Sequence, residues 1–160
     1  METYWAWKWE AGMERPKVSK ELVASAAATF CAREGWDESQ QDDLVRVWRS
    51  ANMDGYELAK ALDNDCGWSP TAQDVDTLDG FRHEVREAHR RACIAWARDN
   101  NVQPPLPVGT MTTRGEITGI SEYDGATYLI KEIGCKDEER RLLVKFEDAR
   151  AAQEQDTRAS

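Results

Sequence analysis

The two histidines of this chain lie on one stretch, His83-Glu84-Val85-Arg86-Glu87-Ala88-His89. Two histidines and a glutamate on a helix are the raw material of a zinc-hydrolase site, where imidazoles one turn apart grip the metal and the carboxylate takes a proton from water. That chemistry needs the histidines four residues apart on one helix face. Here they are six apart, about 240° around a helix. His83 and Glu87 do share a face, and the ordinary result of that spacing is a surface contact.

Other routes to catalysis are no better supplied. There is no Gly-x-Ser-x-Gly, no glycine-rich phosphate loop, and no serine or cysteine spaced to a histidine in a known nucleophile pattern. Carboxylate pairs such as Asp42-Asp43 and Asp74-x-Asp76 are common, but with 30 acidic residues against 21 basic ones such pairs read as a solvated face. The four cysteines, Cys31, Cys66, Cys93 and Cys135, are isolated from one another and form no Cys-x-x-Cys. Reduced, partly buried thiols are expected rather than a disulfide framework or a four-cysteine zinc site. The expectation is a protein that is not an enzyme, with no catalytic residue, no metal and no cofactor.

Binding is better supplied, through charge. The net charge is −9, which disfavours nonspecific attraction to nucleic acid or an anionic membrane and permits docking on a basic partner. From Trp36 to Asp79, eleven acidic residues face Arg46, Arg49 and Lys60, a local net of −8. Ten of these carboxylates are candidates for a partner-binding surface: Asp37, Glu38, Asp42, Asp43, Asp54, Glu57, Asp63, Asp65, Asp74 and Asp76. Carboxylates spaced along helices can occupy a Lys/Arg groove in place of nucleic acid, because such a groove reads charge. The plainer reading is a set of helix caps and solvent-facing carboxylates.

From Gly80 to Arg98 the balance reverses, with five arginines against Glu84 and Glu87. Arg82, Arg86 and Arg90 recur at four-residue spacing with Arg91 beside them. With Arg140 and Arg141 they form the alternative candidate, a nucleic-acid-binding set. Pairing of the stripe with Glu84, Glu87 and the acidic middle competes with that use. A third candidate is Trp5, Trp7 and Trp9, whose alternation puts three rings on one side of a strand. That strand either packs on the core or a sheet edge, or presents an aromatic interface. As an exposed edge it would allow a homodimer.

The elements that must carry these groups follow from periodicity. Ser19 caps a helix whose apolar face is Leu22, Val23, Ala26, Ala27 and Phe30, and Gly35 stops it. Asp37 with Gln40 makes a capping box for a helix running to Asn52, and Asp54 with Glu57 starts a short third helix. Ser69-Pro70 signals the start of a fourth. Its apolar stripe runs Val75, Leu78, Phe81, Val85, Ala88, Ala92 and Trp96, with Gly80 a place for a bend. Asn100 to Gly109 holds three prolines and the apolar Val102, Leu106 and Val108. It reads as a stiff corner whose apolar residues pack near Trp96, rather than a flexible linker. Strand-like segments follow at Val108–Thr112, Glu116–Ile120, Ala126–Lys131 and Arg141–Phe146.

The predicted class is α+β: a mainly helical region over residues 1–99 with a possible N-terminal strand, a proline-rich rigid corner at 100–109, a small antiparallel β-sheet or partly open barrel over 110–150, and a disordered tail at 151–160. No run of about 18 apolar residues exists, so no membrane partner is expected. The first residues lack the basic flank and apolar run of a signal peptide, which makes the cytoplasm the expected location.

Two resemblances add to this. Gly115-Glu116-Ile117-Thr118-Gly119-Ile120 resembles the glycine–hydrophobic strand of SH3-like and KOW-like barrels, over a quarter of the chain at most. The basic loop residues of their nucleic-acid-binding members are sparse here. The whole profile, acidic and rich in tryptophan (seven) with no catalytic set, resembles small phage or mobile-element accessory proteins, including anti-CRISPR inhibitors. That resemblance implies a non-enzymatic inhibitor or adaptor in the host cytoplasm, whose acidic surface occludes the basic nucleic-acid groove of a host defence complex.

Overall fold

The computed structural model describes residues 14–152, so Trp5, Trp7, Trp9 and residues 153–160 of the expected tail lie outside the described residues. The architecture is α+β, four helices followed by a three-stranded antiparallel open sheet. The chain divides into two compact units. A helical unit comprises Pro16–Ala92. A sheet unit comprises Cys93 onward together with Arg15. The division falls inside the longest helix.

In the helical unit each helix begins on a side-chain cap. The Leu22 N–H donates to Ser19 Oγ at the start of α1 (Lys20–Glu34), and Gly35 ends it in the left-handed region at φ 74°. Asp37 and Gln40 close a capping box on α2 (Glu38–Val47). This helix ends before the expected Asn52. Trp48 turns extended, and its ring packs edge-on against Phe81 at 5.3 Å. Burying an indole outweighs one more turn of helix.

Asp54 caps α3 (Gly55–Cys66) and Gly67 stops it. The first residue of α3 has to be glycine. A Cβ on Gly55 would lie 2.1 Å from the Val75 carbonyl oxygen, and the Gly55 N–H donates to Asp79 Oδ1 at 3.1 Å.

Helix α4 (Ala72–Asp99) starts two residues later than Ser69-Pro70 suggests and runs unbroken through Gly80. Thr71 and Asp74 exchange side-chain-to-backbone hydrogen bonds there. This reciprocal box satisfies two amide donors where Ser69 would satisfy one. The core of the unit is Phe30, Leu44, Leu58, Leu62, Leu78, Phe81 and Val85, all fully buried. Phe30 touches both Phe81 and Trp36, and Trp36 in turn touches Trp68.

In the sheet unit the order is β1 (Gly115–Ile120), β2 (Thr127–Glu132), β3 (Leu142–Lys145), with a bulge between Ile117 and Gly119. Ile117, Tyr128, Ile130 and Val144 point inward and bury with Phe146 and Trp96. The segment 108–112, expected as a strand, makes only isolated bridges at Met111 and Thr112. Thr112 Oγ1 donates to the Gly115 carbonyl and accepts from the Gly115 N–H, which folds the chain into a turn there.

Val102 and Leu106 pack against the Trp96 cluster as expected, while Val108 stays exposed. The buried Tyr128 hydroxyl binds Leu106 twice, donating to its carbonyl at 2.8 Å and accepting from its N–H at 2.7 Å. Arg15 completes the unit. Its side chain is only 10% exposed. It donates to the carbonyls of Gly125 (2.6 Å) and Ala126 (2.8 Å), pairs with Glu147 at 2.8 Å, and lies 5.1 Å from the Trp96 ring centre.

Candidate functional site

The ten candidate carboxylates separate into two kinds. Asp37, Asp54 and Asp74 cap helices, each accepting a backbone N–H. Asp43 accepts the Trp68 indole N–H at 2.9 Å, and Asp65 sits 3.6 Å from Arg49. These five serve the fold. The other five, Glu38, Asp42, Glu57, Asp63 and Asp76, are exposed. Their carboxylates have no hydrogen bond or ion pair among the described residues. Glu38 and Asp42 stand one turn apart on α2, Glu57 and Asp63 are on α3, and Asp76 is on α4.

The arginine stripe of α4 is largely paired within the helical unit. Arg82 meets Asp79 at 3.8 Å, Arg90 meets Glu87 at 2.9 Å, and Arg91 meets Glu84 at 3.8 Å. Glu84, buried, also accepts from Arg33 at 3.0 Å. The Arg90 hydrogen bond, helped by the charges of His83 and Arg91, holds the Glu87 carboxyl below its usual range. Arg86 is exposed. Arg140 and Arg141 belong to the sheet unit. The Arg141 guanidinium there donates to Thr118 Oγ1 and to the carbonyls of Glu138 and Arg140.

The histidines do not converge. His83 is exposed, whereas His89 Nε2 lies 2.8 Å from the Pro16 carbonyl oxygen. Among the described residues no group of three or more His, Cys, Asp or Glu side chains is placed to hold a metal ion. Cys31, Cys66 and Cys135 form no disulfide. Burial pushes the Cys31 thiol up to about 11. Burial, then the neighbouring Asp43 carboxylate, also raises Cys66. A raised thiol carries little thiolate at neutral pH, so neither sulfur is a ready nucleophile. Among the described residues no helix is long and apolar enough to cross a membrane.

One concave feature was not singled out by the sequence. The first turns of α1 and the last turns of α2, with the following Trp48–Ala51 segment, enclose a groove of about 790 Å³. Val18, Val23, Val45 and Trp48 form its apolar wall, and Lys20, Arg46, Arg49 and Asp42 its charged lining. The signal that could have found it is the pair Arg46 and Arg49 flanking Trp48, a basic and aromatic cluster inside the most acidic stretch of the chain. No family model matches this chain, and neither does a curated protein or a solved structure.

Proposed function

We propose that this chain is a non-enzymatic binding protein that docks on a basic protein surface through carboxylates its own fold leaves unused. The observation that carries the reading is the division just described. Five carboxylates on α2, α3 and α4 have no partner among the described residues, while Arg82, Arg90 and Arg91 each lie beside an acid of their own helix. Surface charge left unpaired is what an opposite surface can use for steering and register. The most suitable partner is a complex whose basic groove ordinarily holds nucleic acid, as the resemblance to anti-CRISPR-like inhibitors implies. The protein would act there by occlusion, in the cytoplasm where such complexes work. Direct nucleic-acid binding through the α4 arginines is the weaker reading, because Arg82, Arg90 and Arg91 lie beside acids that would meet the phosphates too.

The test uses the full chain as bait in host lysate, with a variant reversing Glu38, Glu57, Asp63 and Asp76 to Lys. None of these side chains caps a helix, and a circular-dichroism spectrum matching the wild type confirms that the variant is folded. A nucleic-acid-handling complex captured by the wild type, released as salt rises, and lost with the variant is the expected result. Capture indifferent to the four reversals would sink the proposal. Retardation of DNA or RNA by the free protein at low salt would favour the arginine reading instead.

A further inference from the structure

We propose that the groove between the start of α1 and the end of α2 is a second docking site, taking a short acidic segment of a partner protein that carries a large apolar side chain. Its volume of about 790 Å³ is in the range of sites that enclose small ligands or side-chain anchors, roughly 300–1,000 Å³. Its charge runs against the rest of the molecule. Lys20, Arg46 and Arg49 line it against Asp42 alone, a local excess of positive charge in a chain of net −9.

Little of that charge is paired among the described residues. Lys20 and Arg46 have no hydrogen bond or ion pair from their side chains among the described residues. Arg49 has only an exposed contact with Asp65 at 3.6 Å, the kind of pair that contributes little. A chain with thirty acidic residues in which Lys20 and Arg46 meet no acid among the described residues, and Arg49 only an exposed one, presents this concavity to a carboxylate from outside.

The apolar wall selects among anions. Val23 is buried and Trp48 half-buried, and the Trp48 ring is held by its edge-on contact with Phe81. A preset indole wall beside cations suits an apolar anchor flanked by carboxylates, because the anchor is desolvated while the charges fix its register. Nucleic acid fits poorly. Its continuous phosphate charge would meet Asp42 in the groove and Glu38 one turn away on the same helix. The site shares Asp42 with the acidic surface proposed above, while its cations and apolar wall are its own.

The test is titration of the ¹⁵N-labelled full chain with a synthetic Glu-Asp-Glu-Phe-Leu-Glu-Asp peptide, beside an analogue in which every acid is replaced by its amide. Shifts concentrated on Ala24, Val45, Ser50 and Ala51 are expected, with the amide analogue binding about tenfold more weakly. The variant Lys20→Glu/Arg46→Glu/Arg49→Glu should weaken the acidic peptide about tenfold or more. Arg46→Glu alone, at an exposed side chain with no internal partner, should weaken it about threefold while the fold is intact. No groove shifts at about 1 mM peptide, equal binding of the amide analogue, or indifference to Arg46→Glu would each overturn the proposal. Reversal of Glu57 and Asp63 should leave peptide binding in place, so failure here and failure of the acidic-surface reading are distinguishable.

Discussion

The helical unit and the sheet unit hold themselves together by different means. The helical unit buries fourteen apolar residues around a chain of aromatic contacts, and polar side chains act mainly at its helix ends. Among the described residues the core cluster of the sheet unit holds eight, and polar clamps tie its interior. Arg15 ties two loop carbonyls and Glu147, and Tyr128 holds both backbone groups of Leu106. A small core leaves backbone groups near it with no strand partner, and buried amides and carbonyls must be satisfied by something. Where apolar area is ample, polar residues are released to the surface. The helical unit carries five exposed carboxylates with no partner among the described residues.

The largest effects should come where a backbone passes too close for any side chain. Gly55→Ala would drive a Cβ to 2.1 Å from the Val75 oxygen, and Gly115→Ala would drive one to 2.0 Å from the Lys131 oxygen at φ 149°. Each should cost about 3 kcal/mol or more. Denaturant midpoints measure the loss, and amide exchange should rise in residues 16–92 for the first and in the strands for the second. A loss under about 1 kcal/mol would mean that the close approach is not real.

Next comes the contrast between two arginines. Arg15→Met should cost about 3 kcal/mol, since it removes one of two donors from each of the Gly125 and Ala126 carbonyls and leaves the Glu147 carboxylate without its cation. Arg33→Met, whose side chain is 53% exposed, should cost about 1 kcal/mol or less. Equal losses for the two would remove the distinction drawn between the units.

These two cases also mark what could be read in the sequence. Arg33, itself exposed, reaches the buried Glu84 from another helix. Arg15 carries no local signal at all, because its partners at Gly125, Ala126 and Glu147 are more than a hundred residues away. The helices and their caps were legible because Ser19, Asp37 and Asp54 act within one turn of their own positions. The end of α2 at Val47 was not, since it depends on Trp48 finding Phe81. The carboxylates were legible as a group, but which of them were spare was not. Asp43 and Asp65 are occupied by Trp68 and Arg49, neither a local neighbour.

A pH series sharpens the comparison further. Burial raises the folded-state Cys31 thiol from 9.0 to about 11. The folded form therefore holds its proton where the unfolded chain has released it. The sign follows: this contribution is fully present below about pH 9 and is lost as pH rises through about 11. Thermal or denaturant stability should fall by up to roughly 2 kcal/mol more across that window in the wild type than in Cys31→Ala. Parallel profiles for the two proteins would show that Cys31 is not buried against ionisation.

The smallest effects distinguish structural from spare carboxylates. Asp37→Ala removes a capping box and should cost about 1 kcal/mol. Asp63→Ala should fall within about 0.5 kcal/mol of the wild type. A loss at Asp63 equal to that at Asp37 would place it among the groups the fold needs, and the acidic surface would shrink accordingly.

By itself the sequence determined the α+β class and the four helices with three of their caps. All of these rest on interactions within a turn or on residue types alone. Tertiary structure decided the rest. It chose which carboxylates are consumed, it joined Lys20 to Arg46 and Arg49 across α1 and α2, and it buried Arg15. The reason is physical: spacing along one helix is set by its 3.6-residue period, whereas a groove between two helices or a clamp across a hundred residues exists only once the cores have packed.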